Sequence, residues 1–427
     1  MIETLTIIGG GSAYAPGLCN ALIEHAAALP LRAIRLHDID DDHLAIVAAL
    51  VRHLAAHHGG RLEVTATGDL VEAVRGTDVV LNSMRPGGFA CRQLDETIPV
   101  ELGIPGQETV GPGGFFFALR SVPAALAVHA AVAAHAPDAI LLNYTNPTNI
   151  VTQALAGRPG PRVIGLCDQS DEDLGALAAA LGQPGAAYDF RCVGLNHATW
   201  YADVTIAGAP LGALPATLPP PDDLDEEHRI RFALSLELAH RHPGWWPNSY
   251  LPYYDAPARF VAHTRAVGTR TQAILAGLER YYDHFREVTR QAAPRLLHHR
   301  GSAGFGDLAV RVIAALASPT PHRLVLNVVN QGATASFDDA TVVEAAVGLG
   351  VDGVTRAPCP TPPADAVPLL RQLERYQRLT AVAAAGTDRQ AMIEALAANP
   401  LVADVATAGA LIERARDAYG DHLPALR

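Results

Sequence analysis

The sequence predicts an α/β protein, with a doubly wound parallel sheet in residues 1–185 and a helix-rich α+β domain in residues 186–427. Three observations predict it. Short apolar, β-branched runs alternate with helical spacing through the first half, and the first of these runs ends in three consecutive glycines. After about residue 185 the alternation stops and long helical stretches dominate. Alternating strand and helix require right-handed crossovers, hence parallel strands covered on both faces. A chain of 427 residues also exceeds what one core ordinarily serves.

Taken in order, residues 4–8 form the first strand, and helical spacing over residues 16–28 follows the glycines. Residues 33–36 make a second strand that closes on His37, Asp38, Ile39 and Asp40, with a helix through Leu50 and Leu54 behind it. Residues 62–65, 79–81, 139–142 and 163–166 supply four more short strands, and residues 117–134 a helix. In the second half, residues 188–193 and 200–206 alternate as antiparallel strands do, and Ala207, Gly208 and Ala209 make a turn. A proline-rich connector spans residues 215–223; helices are expected over residues 225–240, 257–297 and 363–385.

Composition narrows the class of partner. Forty-nine per cent of residues are hydrophobic and the net charge is -12, the reverse of what binding a nucleic-acid backbone needs. No apolar run is expected to reach membrane-spanning length, and the N-terminus lacks the basic segment of a secretion signal, so a cytoplasmic protein with no membrane partner is expected. Five scattered cysteines, an odd number, fit a reducing compartment without a disulfide framework.

Gly9, Gly10 and Gly11 sit between a strand and a helix, where glycine lets backbone approach a pyrophosphate and the helix N-terminus favours its charge. Asp38, at the end of the second strand, is placed to accept hydrogen bonds from a ribose diol. This is a Rossmann-type arrangement that favours NAD over NADP, with Gly9, Gly11, Ser12 and Asp38 as candidate contacts; Tyr14 occupies the third glycine position. Asn143, Asn146 and Asn149 lie in an Asn-Pro segment at a strand end, where amides can orient the nicotinamide ribose and a sugar hydroxyl. Cys167 and His197 close two further strands. They can converge on one divalent metal, or serve as a core thiol and a structural imidazole. Arg85 and Arg92 offer guanidinium forks to a phosphate or carboxylate, the alternative being a surface pair of Arg92 with Asp95. Residues 107–114 read as a loop or a helix cap.

Together these segments resemble the family 4 glycoside hydrolases, which use NAD and a divalent metal. The resemblance runs nearly end to end and is carried by IIGGGSAYAP, RPGGFACRQLDE, GQETVGPGG, NYTNPTN, GLCDQS, GLNHATW and NSYLPYYD. It implies that NAD takes hydride from the sugar C3, that a metal held by Cys167 and His197, typically manganese, polarises the ketone, and that Tyr250 removes the acidified C2 proton. The aglycone then leaves by elimination, water adds, and the hydride returns.

The resemblance also implies a substrate. Arg92 resembles the arginine that phosphosugar-cleaving members place on a 6-phosphate, with Asn146, Asn149 and Arg300 also on the substrate. Asp168 directly after Cys167 resembles the pair of the phospho-α-glucosidases, where this aspartate is the candidate general acid. A 6-phospho-α-glucoside is therefore favoured, with a 6-phospho-β-glucoside or an unphosphorylated sugar as alternatives. Gln169, Ser170 and Pro252 depart from the family pattern, and Gly304, Phe305 and Gly306 replace its tyrosines. A homodimer or homotetramer is implied. Outside the family, the same glycine turn and Asn-Pro would serve an NAD-dependent hydroxyacid dehydrogenase or a dinucleotide-sensing regulator.

Overall fold

The structure is a computed structural model that describes residues 2–301, 303–423 and 426. Thirteen strands occur among the described residues: β1 (Thr4–Ile8), β2 (Ala33–His37), β3 (Glu63–Thr67), β4 (Val79–Asn82), β5 (Ile140–Asn143), β6 (Arg162–Gly165), β7 (Tyr188–Leu195), β8 (Ala198–Ile206), β9 (Ala209–Pro210), β10 (Trp245–Pro247), β11 (His322–Val329), β12 (Val342–Gly350) and β13 (Gly353–Arg356). The main sheet runs β3-β2-β1-β4-β5-β6 in parallel, reversing direction of growth at β1, and then continues antiparallel through β11, β12 and β13. The reversal opens a crevice at the strand ends, the usual ligand position in such sheets.

Alternation along the parallel strands explains why they are apolar throughout. Leu5, Ile7, Val79, Leu81, Ile140 and Leu142 point into the core on one face, while Ile8, Val80 and Leu141 point into that on the other. The first core is closed by the helices Ala15–Glu24, Asp41–His57 and Ala303–Leu316, the second by Gly111–His135 and the C-terminal helices. Register aligns the C-terminal strand ends in one row: His37 beside Ile8, Ile8 beside Asn82, Asn82 beside Asn143, Asn143 beside Gly165, and Gly165 beside Asn327. Whatever follows the parallel-strand ends Ile8, His37, Asn82, Asn143 and Gly165 faces the crevice, whereas β11 runs the opposite way past Asn327.

Three expectations are corrected. The α+β domain expected over residues 186–427 is not separate from the parallel sheet; β11, β12 and β13 extend that sheet, so residues 322–356 belong to the same hydrogen-bonded layer. The helix expected over 257–297 is two, Pro257–Val267 and Arg270–Val288, because Gly268 adopts φ +90° and Thr269 starts a new helix with a capping box to Gln272. Gly111–His135 is long and apolar enough to cross a membrane by length and composition. Here it is a core helix: Phe115, Phe116 and Val122 are fully buried, and Arg120 makes a buried two-pronged ion pair with Asp95.

A second, small sheet of β10, β8 and β7, with β9 paired to β8, carries the chain back to the crevice. It is tied to the main sheet by Glu344 of β12, whose buried carboxylate accepts from Asn196, Thr199 and Asn327. The turn that bears His197 is thereby held against the sheet.

Candidate active site

The glycine turn is shaped by close approach. Gly9 adopts φ +89°, and a Cβ there would stand 2.7 Å from the Ser83 carbonyl oxygen; one on Gly11 would stand 2.9 Å from the Leu44 backbone nitrogen. No other residue fits. The Gly11 N–H donates to Asp38 Oδ2 at 2.8 Å, which fixes the carboxylate beside the turn. Ser12 Oγ is buried and finds no hydrogen-bond partner among the described residues. A turn stripped of side chains, an unpartnered hydroxyl and the N-terminus of Ala15–Glu24 behind them fit a dinucleotide's pyrophosphate. Tyr282, which donates to the Gly11 carbonyl and stacks on His43, closes the turn from the second half.

The asparagines divide. Asn146 accepts from the Thr148 N–H and hydroxyl and remains partly exposed at the crevice. Asn143 does not face it: the residue is fully buried, accepts from Asn82 and donates to Thr145 and Thr152. Its place in the strand row spends its amide on holding the loop. Asn149 donates 2.8 Å to Gln377 Oε1, which draws it toward the helix Val367–Ala384.

Cys167 follows β6, and His197 lies in the two-residue turn between β7 and β8; the fold brings Sγ and Nε2 to 3.7 Å. His197 has φ +62°, a conformation that a non-glycine residue holds only where its surroundings impose it. Burial, with the Arg231 cation nearby, pushes the imidazole down to about 3, so it is neutral and able to ligate. Burial, helped by Glu344 and Asp168, holds the Cys167 thiol well up in the absence of a cation. Two facing donors of these types fit a divalent metal. Among the described residues no group of three or more His, Cys, Asp or Glu could hold one. Asp168 stands at the N-cap of Gln169–Ala180, partly exposed beside Cys167.

Tyr250 completes the centre. Its ring stacks on His197 at 3.9 Å with an interplanar angle of 7°, and the Arg231 guanidinium lies 3.9 Å from its other face. Burial raises the phenol above its ordinary value and Arg231 opposes that rise. Arg231 is itself fixed by donating to the Ser249 carbonyl at 2.9 Å. Sequence reading missed this residue: on the helix Glu226–Arg241 it is one of three arginines, and nothing in its spacing marks it.

Arg92 is not a surface residue. It is 3% exposed and pairs with Glu96 at 2.8 Å and Glu108 at 3.1 Å, whereas Asp95 belongs to Arg120. Arg85 also pairs with Glu108. Burial works against the Glu108 charge, but Arg85, Arg92 and the more distant Arg300 hold its carboxyl down at about 2. Arg300 stacks on Tyr14 and Phe89, at 4.8 and 4.6 Å, and no carboxylate among the described residues pairs with it. Burial pushes its guanidinium down, as do the neighbouring Arg85 and Arg92, while Tyr14 and Glu108 oppose the shift. It opens on a cavity of about 510 Å³ that Arg270, Arg280, His284 and His298 also line.

The segment at 107–110 is a loop held by Gln107, and not a side-chain cap on the helix that follows; Glu108 and Thr109 within it are further residues that motif reading did not assign. Gln107 Oε1 accepts the N–H groups of Thr109 and Val110 just ahead of Gly111–His135, and Thr109 Oγ1 lies 3.0 Å from His197 Nδ1.

Comparison with known proteins gives the family. A 6-phospho-α-glucosidase from Lacticaseibacillus paracasei is 30% identical over 99% of both chains, and a 6-phospho-β-glucosidase from Escherichia coli is 27% identical over 92% of this chain and 90% of its own. The crystal structure of a 6-phospho-α-glucosidase from gut microorganisms, in complex with NAD and Mn2+, superposes with a TM-score of 0.90 at 26% identity, covering 99% of each chain. The family described as Family 4 glycosyl hydrolase matches residues 4–178 and its C-terminal domain residues 192–402, so the chain belongs to the family 4 glycosyl hydrolases.

Proposed function

We propose that this enzyme hydrolyses 6-phospho-α-glucosides with NAD and a divalent metal, manganese, as cofactors. The observation that carries the reading is the stack Arg231, Tyr250, His197, which sets a phenol against the imidazole that faces Cys167. Bound NAD and metal supply reversible oxidation at the sugar C3 and polarisation of the oxygen created there. The chain's own residues do the rest.

Gly9, Gly11 and Ser12 receive the pyrophosphate, Asp38 the adenosine ribose, and Asn146 the nicotinamide side. Cys167 and His197 would hold the metal. Tyr250 removes the C2 proton as general base, and Arg231 stabilises the phenolate this requires. Asp168 delivers a proton to the leaving oxygen. Arg92 and Arg300, with Arg85, take the 6-phosphate, and Asn149 borders the sugar. Arg300, with which no carboxylate among the described residues forms an ion pair, favours a phosphorylated sugar over a plain one. The Cys167, Asp168 pair favours the α-linkage. A two- or four-subunit assembly in the cytoplasm is part of the same reading.

The test is a panel of p-nitrophenyl glucosides, α and β, with and without a 6-phosphate, assayed with NAD, Mn2+ and a reductant. Cleavage is expected to be fastest on the 6-phospho-α-glucoside, to require NAD, to accumulate no NADH, and to exchange deuterium from solvent at C2. A faster 6-phospho-β-glucoside would transfer the assignment to the β-linkage. Net NADH formation would return a dehydrogenase.

A further inference from the structure

We infer that Thr109 is a positioning residue for the metal site, fixing the tautomer in which His197 turns an unprotonated Nε2 toward Cys167. The inference rests on the reading of Cys167 and His197 as the ligands, and the argument is one of counting protons.

Gln107 Oε1 receives two backbone N–H groups, from Thr109 and from Val110, the latter at 2.9 Å; only a carbonyl oxygen can accept both, so the orientation of this amide is determined. The same oxygen lies 2.8 Å from Thr109 Oγ1. Two acceptors at that distance would repel, so the single hydroxyl proton of Thr109 goes to Gln107. Thr109 Oγ1 is then left with lone pairs toward His197 Nδ1 at 3.0 Å, and that nitrogen must be the donor. A neutral imidazole carries one ring proton, so Nε2 is bare and faces Sγ of Cys167 at 3.7 Å. The relay is held on both sides. Gln107 holds the Thr109 and Val110 N–H groups just ahead of the helix Gly111–His135, and Glu108, the residue between, is ion-paired to Arg85 and Arg92. Tyr250 stacked on the imidazole prevents the ring from tilting away.

Thr109→Val keeps the shape and removes the acceptor. The Nδ1 proton then has no partner in a buried place, and the ring shifts toward the tautomer with its proton on Nε2, where a metal must bind. The test measures both consequences on the full-length protein. Selective 15N-histidine labelling of the metal-free protein, with His197 assigned through His197→Asn, reads the tautomer directly. Mn2+ affinity is read by electron paramagnetic resonance titration in the presence of NAD.

Wild type and Thr109→Ser are expected to show the Nδ1-protonated form and to bind Mn2+ within about threefold of each other, and Thr109→Val to lose that form and bind about 10- to 100-fold more weakly. NAD affinity, assigned to the glycine turn that Thr109 does not hydrogen-bond, should be unchanged in both and serves as the control for folding. An unaltered tautomer or unaltered Mn2+ affinity in Thr109→Val overturns the inference. Failure of the wild type to bind Mn2+ would instead refute the ligand assignment, and the tautomer measurement would still decide the role of Thr109.

Discussion

Arg231→Met removes the cation from the face of Tyr250 and leaves a chain of similar length. The guanidinium sits 3.9 Å from the ring centre, which places it roughly 5 Å from the phenol oxygen. At an effective dielectric of about 20, a unit charge at that range is worth about 3 kcal/mol to the phenolate, or about 2 units of pKa. Burial already raises the phenol, so Arg231 is what keeps ionisation within reach. Losing it cuts the phenolate fraction at neutral pH by about 100-fold, offset in part by the greater basicity of what remains. The expected loss in kcat is therefore about 10- to 100-fold, with the rising, acid-side limb of the pH–rate profile moved to higher pH. The assay is steady-state cleavage of p-nitrophenyl 6-phospho-α-glucoside across pH at saturating NAD and Mn2+. Arg231→Lys separates charge from the hydrogen bonds to Ser249: it keeps the cation and loses the fork, so its profile should lie between the other two. A wild-type kcat and profile in Arg231→Met would refute the reasoning.

Gly11→Ala should cost at least tenfold in NAD affinity, because the added Cβ meets the Leu44 nitrogen and the Asp38 carboxylate at 2.9 and 3.0 Å; fluorescence titration with NADH checks it. Arg92→Ala should raise KM for the phosphorylated substrate tenfold or more while changing that for its unphosphorylated counterpart little, and equal changes would remove Arg92 from phosphate recognition. The His197 imidazole, held down to about 3, is neutral in the fold, whereas the unfolded chain takes up a proton below about 6.5. Its contribution to stability is thus full above that pH and is lost progressively on acidification, at up to about 1.4 kcal/mol per pH unit. Urea melts of the metal-free protein between pH 7 and 5 should show this slope, and His197→Asn, which tolerates the positive φ, should lack its share.

Much of the site was legible because local chemistry announced it. Gly9, Gly11 and Asp38 are read from a strand, a tight turn and a strand-end acid within 40 residues, and the structure joins Gly11 to Asp38 by a direct hydrogen bond. The Cys167 and His197 pair was legible only as two strand ends, since spacing cannot say that a hairpin of a separate sheet will fold back to put them 3.7 Å apart. Asn143 shows the converse. Its motif suggested a ligand contact, but a position in the strand row buries it and spends both ends of its amide on protein.

What the sequence by itself determined was the periodicity of the first half, the glycine turn, and the order of the motifs, because each depends on neighbours within a few residues. The tertiary structure alone decided that residues 322–356 join the sheet, that Arg231 covers Tyr250, that Glu108 sits among Arg85, Arg92 and Arg300, and that Thr109 meets His197. These are contacts across tens or hundreds of residues, and the electrostatics they create, a phenol under a cation and a carboxylate held ionised, arise only once burial removes the water that would otherwise screen them.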